Sequence, residues 1–130
     1  MQTLKALKDV SDLKGKRVLV RVDFNVPISG GAVSRGGEWR LRAVLPTLDF
    51  LSECGAKIII LSHLGRPHGH DFGFSLYPVF ECLKKIWSHS AKAPRDKPDL
   101  FFSHEVLGES IQKQIGKLKN GQAVLLENLR

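Results

Sequence analysis

The 130 residues, 42% hydrophobic and 25% charged, have the composition of one globular domain and leave no room for a second of ordinary size. No stretch approaches the roughly 18 apolar residues that a membrane span needs, and the start Met1-Gln2-Thr3-Leu4-Lys5 lacks the apolar run of a secretory leader. Twenty Lys and Arg against thirteen Asp and Glu give a formal charge of +7, which points toward anionic partners without naming them.

In chain order, Lys16 to Phe24 reads as a strand, with Val18, Leu19, Val20 and Val22 nearly continuous. Ser29 to Gly37 follows as a Gly-rich loop. Leu41, Val44, Leu45, Leu48 and Leu51 recur at helical spacing, and Gly55 stands where a left-handed cap is wanted. Ile58-Ile59-Ile60-Leu61 is a second strand. Leu76, Val79, Phe80, Leu83, Ile86 and Trp87 form the apolar stripe of a second helix, with Ser75 as its N-cap and Pro78 in its first turn. His89 to Asp99 is a polar connection. Phe101-Phe102 is a weak third strand, Ile111, Ile115 and Leu118 mark a third helix, and Ala123-Val124-Leu125-Leu126 is a fourth strand entered through Asn120-Gly121. Strands apolar on both faces, joined by helices, predict an α/β fold: a Rossmann-like parallel sheet flanked by helices. Cys54 and Cys82 fall in helical patterns and read as buried or half-buried thiols of a reducing compartment. Trp39 and Trp87 read as packing residues.

Ligands of open parallel sheets bind beyond the carboxyl ends of the strands. Asp23-Phe24-Asn25-Val26-Pro27 follows the first strand, Ser62-His63-Leu64-Gly65-Arg66-Pro67 the second, and Glu127-Asn128-Leu129-Arg130 the fourth. Arg40, just ahead of the first helix, is returned by its loop to the same rim. Asp23, two amides, an imidazole and three guanidiniums thus converge, the profile of a site for a small, multiply anionic ligand. Locally, Asp23 reads equally well as the cap of a turn before Pro27, His63 as a satisfied loop histidine and Arg66 as a solvated charge. Arg21 reads either as a buried ion-pair partner or as support for the rim. His68, His70, His89 and His104 have no partner at metal spacing and read as surface residues. There is no GxxxxGK[ST] phosphate loop, no GxGxxG after a strand and no interleaving of aromatic and basic residues of the kind that binds RNA.

Arg21-Val22-Asp23-Phe24-Asn25-Val26-Pro27, Ser62-His63-Leu64-Gly65-Arg66-Pro67 and Leu126-Glu127-Asn128-Leu129-Arg130 resemble three signatures of the phosphoglycerate kinases. Leu45-Pro46-Thr47-Leu48, Ser75-Leu76-Tyr77-Pro78-Val79 and Glu105-Val106-Leu107-Gly108-Glu109 add to the resemblance, which covers essentially the whole chain in the family's order. It implies reversible phosphoryl transfer between 1,3-bisphosphoglycerate and ADP, or 3-phosphoglycerate and Mg-ATP, in a cytoplasmic and usually monomeric enzyme of glycolysis. It implies that Asp23 and Asn25 hold the carboxylate and hydroxyl end of the substrate. His63, Arg66 and Arg130 would bind its phosphate, and Arg40 would be the catalytic arginine, with Arg42 as a rival because the loop before it is long. Phe24, Leu64 and Gly65 complete the implied substrate-binding set. Residues 1–130 are then expected to be a single, incomplete 3-phosphoglycerate-binding domain. The nucleotide domain, with the residues for Mg-ATP, is expected to be absent, no metal site is expected in the chain, and neither nucleic acid nor membrane is an expected partner. A non-catalytic anion-binding module and a non-functional fragment are the alternative readings. Stopping after the Ala123–Leu126 strand is expected to leave a sheet edge or a helix-facing surface uncovered, with Ile58–Leu61 and Ala123–Leu126 as the apolar runs at risk.

Overall fold

A computed structural model of the chain describes residues 6–63, 75–88 and 100–127. Its strands are β1 (Arg17–Arg21), β2 (Ile28–Ser29), β3 (Ala32–Val33), β4 (Lys57–Leu61), β5 (Leu100–Ser103) and β6 (Ala123–Leu126). Its helices are α1 (Glu38–Glu53), α2 (Tyr77–Ser88) and α3 (Glu109–Gly116), preceded by a short 3₁₀ turn at Leu7–Asp9. Four strands form one parallel sheet in the order β1-β4-β6-β5. The polar connection from His89 to Asp99 lies outside the described residues.

The strand order explains where the helices go. The chain steps outward from β1 to β4 to β5, then returns to insert β6 between β4 and β5. With crossovers of one hand, a reversal of direction moves the connecting helix to the other face. Accordingly α1 and α2 bury Leu41, Leu48, Leu51, Leu76, Val79 and Leu83 against Ile58, Ile60, Ala123 and Leu125. Helix α3 packs Ile111, with Leu118 just beyond its end, against Ile59, Val124 and Leu126 on the opposite face.

Several expectations are corrected by this structure. Ala123–Leu126 is no edge: β6 is an interior strand and all four of its residues are buried. Among the described strands the edges are β1 and β5, and β1 is not apolar on both faces. Leu19 is paired in register with Ile59, so it lies on the α3 face, but α3 covers the far side of the sheet and Leu19 remains 67% exposed. Arg21 lies on that same uncovered face and is exposed, which removes the reading of it as a buried ion-pair partner. The loop from Ser29 to Gly37 also holds more structure than expected. Gly30 and Gly31 both have positive φ, +60° and +77°, and close a two-residue turn between β2 and β3. Only such a turn matches the twist of a tight hairpin, and glycine adopts it without strain.

Trp87 is buried as expected, and its Nε1–H donates to Asp49 Oδ1 at 2.8 Å. Asp49 is itself buried, 6% exposed. Asp49→Ala would leave the indole N–H without an acceptor inside the core. The expected cost is about 1–3 kcal/mol, read as a lowered urea midpoint; a shift of less than a few tenths of a kcal/mol would show that another group takes the proton.

Candidate functional site

Parallel pairing brings the carboxyl ends of all four large strands to one edge. The segments that leave β1 and β4 stay joined beyond the strands. Val22 N–H donates to Leu61 O at 2.9 Å, and Phe24 N–H donates to the buried hydroxyl of Ser62 at 2.9 Å. Phe24 turns its ring inward, where it is fully buried in the core. It therefore serves the rim through its backbone, presenting its exposed neighbours Asp23 and Asn25 to solvent. His63, half-buried, follows Ser62 at the adjacent strand end.

Asp23 both caps a turn and reaches across the rim. Its Oδ1 accepts the Asn25 N–H at 3.1 Å, and its Oδ2 accepts a hydrogen bond from Arg40 Nη1. Arg40 lies within the first turn of α1 rather than ahead of it. A close approach brings it there: a Cβ on Gly37 would stand 2.8 Å from Val26 Cβ and 3.0 Å from Pro27 Cδ. The bare glycine lets the start of α1 lie directly against the segment after Asp23. Arg42 is directed elsewhere. It pairs with Glu38 one turn back, Nη2 to Oε1 at 2.7 Å, and lines a separate cleft.

Glu127 is a participant that sequence reasoning passed over. Its Oε2 accepts the Ser75 hydroxyl at 2.6 Å and its Oε1 accepts the Leu76 N–H at 2.7 Å. A carboxylate from the end of β6 thus joins Ser75 in capping α2, where the helix dipole favours negative charge. Ser75 in turn accepts the Tyr77 N–H at 3.2 Å. No local pattern could reveal a cap supplied from 51 residues away.

Trp39 departs from expectation: it is 62% exposed, and the Arg40 guanidinium carbon stands 5.2 Å from its ring centroid. Beside the rim, Tyr77, Phe80, Phe102 and His104 form a ring cluster, with Tyr77 and His104 stacked at 6.2 Å. So His104 is exposed but not bare. Leu64, Gly65, Arg66, Arg130 and the histidines at 68, 70 and 89 lie outside the described residues. Among the described residues, no group of three or more His, Cys, Asp or Glu side chains could hold a metal ion, and no helix is long and apolar enough to cross a membrane.

The separate cleft has a volume of about 720 Å³ and lies between the β2–β3 hairpin, α1 and α2. Cys82 in its wall is a half-buried free thiol. Burial, and then the Glu38 carboxylate, push its pKa above the ordinary 9.0. Folding therefore favours the neutral thiol. Its contribution to stability is complete below pH 9.0 and is lost as the pH rises through the raised folded-state value. The stability lost between pH 8 and the alkaline limit should be smaller in Cys82→Ser than in the parent chain; equal losses would mean that the thiol is not shifted.

The family model for phosphoglycerate kinase matches residues 7–130. A phosphoglycerate kinase of Dictyoglomus turgidum is 41% identical over 129 residues, covering 99% of this chain and 30% of that protein. One from Aquifex aeolicus is 43% identical over 128 residues, covering 97% of this chain and 29% of that protein. The crystal structure of phosphoglycerate kinase from Pyrococcus horikoshii superposes with a TM-score of 0.76 at 29% identity, over 98% of this chain and 28% of that one. The Coxiella burnetii enzyme superposes with a TM-score of 0.69 at 33% identity, over 95% of this chain and 28% of that one. The chain thus spans about 30% of the length of the curated relatives it matches.

Proposed function

The chain belongs to the phosphoglycerate kinase family, and we propose that its strand-end rim is the phosphoglycerate half of a phosphoryl-transfer site. The observation that carries this reading is the contact between Asp23 and Arg40, which lie 17 residues apart and meet at the mouth of the sheet. An acid and a fork-shaped cation side by side suit a ligand that offers both a hydroxyl and anionic oxygens. In this reading Asp23 accepts the substrate hydroxyl, Asn25 assists at the carboxylate, and His63, Arg66 and Arg130 bind the 3-phosphate. The reaction attaches a phosphoryl group to the substrate carboxylate, with the nucleotide as the other substrate. Such a transfer is mostly positioning and stabilisation of charge on the equatorial oxygens, and Arg40 is the side chain suited to that charge. In this reading the rim residues named here hold the phosphoglycerate alone, and no step is routed through the nucleotide or Mg²⁺. We place the activity in the cytoplasm.

Titration calorimetry with 3-phosphoglycerate tests the proposal. Binding is expected to be weak, to fall with added salt, and to exceed that of inorganic phosphate. Arg66→Ala is expected to cost about 1.5–3 kcal/mol of binding, the range for a hydrogen bond to a charged group. Equal heats for phosphate and 3-phosphoglycerate would reduce the rim to a general anion site.

A further inference from the structure

Arg40 is held on two sides by partners of different kinds. Its Nη1 donates to Asp23 Oδ2, and its guanidinium carbon lies 5.2 Å from the Trp39 ring centroid. The Arg40 side chain is 37% exposed, whereas Trp39 is 62% exposed and is no part of either core cluster. An indole left largely in water forgoes the burial that usually favours it. Consecutive helical residues do not ordinarily face each other, yet in this first turn the guanidinium lies close to the ring.

We propose that Trp39 is a positioning residue for Arg40, keeping the guanidinium at the rim when a ligand hydroxyl also draws on the Asp23 carboxylate. The inference rests on the phosphoglycerate reading of that rim. Asp23 Oδ1 already accepts the Asn25 N–H and Oδ2 the Arg40 Nη1, so a ligand hydroxyl that donates to this carboxylate shares an oxygen already in use and weakens its hold on Arg40. With that hold weakened, a long and flexible side chain would otherwise swing toward solvent. The indole face prevents this in a way that a second carboxylate would not. It attracts the cation through its quadrupole, consumes none of the guanidinium N–H donors and leaves the positive charge uncompensated. The fork then remains whole for the anionic oxygens of the ligand.

The test is NMR on this 130-residue chain, uniformly ¹⁵N-labelled and titrated with 3-phosphoglycerate. Both indole N–H signals and the Arg40 Nε–H are followed in the parent chain, Trp39→Leu and Trp39→Phe. The Arg40 signal should carry a ring-current shift that is lost in Trp39→Leu and retained in Trp39→Phe. Affinity for 3-phosphoglycerate should fall about two- to five-fold in Trp39→Leu, the range of an exposed cation–π contact, and recover in Trp39→Phe. A tryptophan that merely covers surface would leave the Arg40 signal unmoved by its removal. If the ligand binds the parent chain and Trp39→Leu alike, with Arg40 unchanged, the positioning role is wrong and the site reading survives. If the ligand fails to bind the parent chain while the Trp39-dependent shift of Arg40 is present, the site reading fails and takes the ligand-dependent role with it.

Discussion

With this chain joined to a nucleotide domain of the family, Arg40→Ala is expected to lower kcat by roughly 100- to 1,000-fold, the usual effect of removing one donor aimed at developing charge. Affinity for 3-phosphoglycerate should change far less. In the proposed reading the two effects separate because most of the charge that Arg40 answers develops during transfer, and only a smaller part is present in the bound substrate. Arg42→Ala is the matched control, since Arg42 is tied to Glu38 beside the cleft rather than to Asp23. It should alter turnover only slightly. Steady-state rates in a coupled ATP assay decide the matter. A large fall in kcat for Arg42→Ala with a small one for Arg40→Ala would exchange their roles, and a change confined to KM would make Arg40 a simple binding residue.

Phe24→Ala is expected to destabilise the chain by about 3–5 kcal/mol, the cost of deleting a fully buried aromatic ring. A small domain has a stability of the same order, so much of the population would unfold. Phe24 sits between Asp23 and Asn25 and is fully buried, so loss of the ring should also let both flanking residues drift. Urea unfolding followed through the buried Trp87 gives the first effect, and 3-phosphoglycerate calorimetry under stabilising conditions gives the second. A loss under about 1 kcal/mol would mean that the neighbours refill the space, against the usual behaviour of such a site. Phe24→Leu, which keeps most of the volume, should cost markedly less.

The parallel sheet was legible because Ile58–Leu61 and Ala123–Leu126 carry no polar residue at all, as strands buried on both faces must. The helices were legible from stripes such as Leu76, Val79, Leu83 and Ile86, which the core confirms. That the strand ends share one rim followed from parallel topology alone, and of the residues assigned to it Asp23 and Arg40 meet there. What escaped was decided by neighbours far away in sequence. The exposure of Leu19 depends on α3 covering the far side of the sheet, which no pattern within β1 encodes. The interior place of β6 depends on the chain reversing direction after β5. The cap from Glu127 to Leu76 joins two segments that read locally as unrelated. The hairpin was closer to hand: Gly30-Gly31 between Ile28-Ser29 and Ala32-Val33 is a two-residue turn signal, and the glycines read instead as a loose loop.

The Glu127 clamp carries a consequence for the newborn chain. Fifty-one residues separate Leu76 from the carboxylate that accepts its N–H. At ribosomal speeds of roughly 5–20 residues per second, that is about 3–10 s of synthesis. During this interval α2 has been made without its full cap, and β4 has one flank open, because its neighbour β6 is still to come. The rim therefore matures by insertion of β6 between β4 and β5 rather than by growth from one side. Translation pauses between the codons for Leu76 and Glu127 would lengthen the time for which β4 is open to strands of other chains.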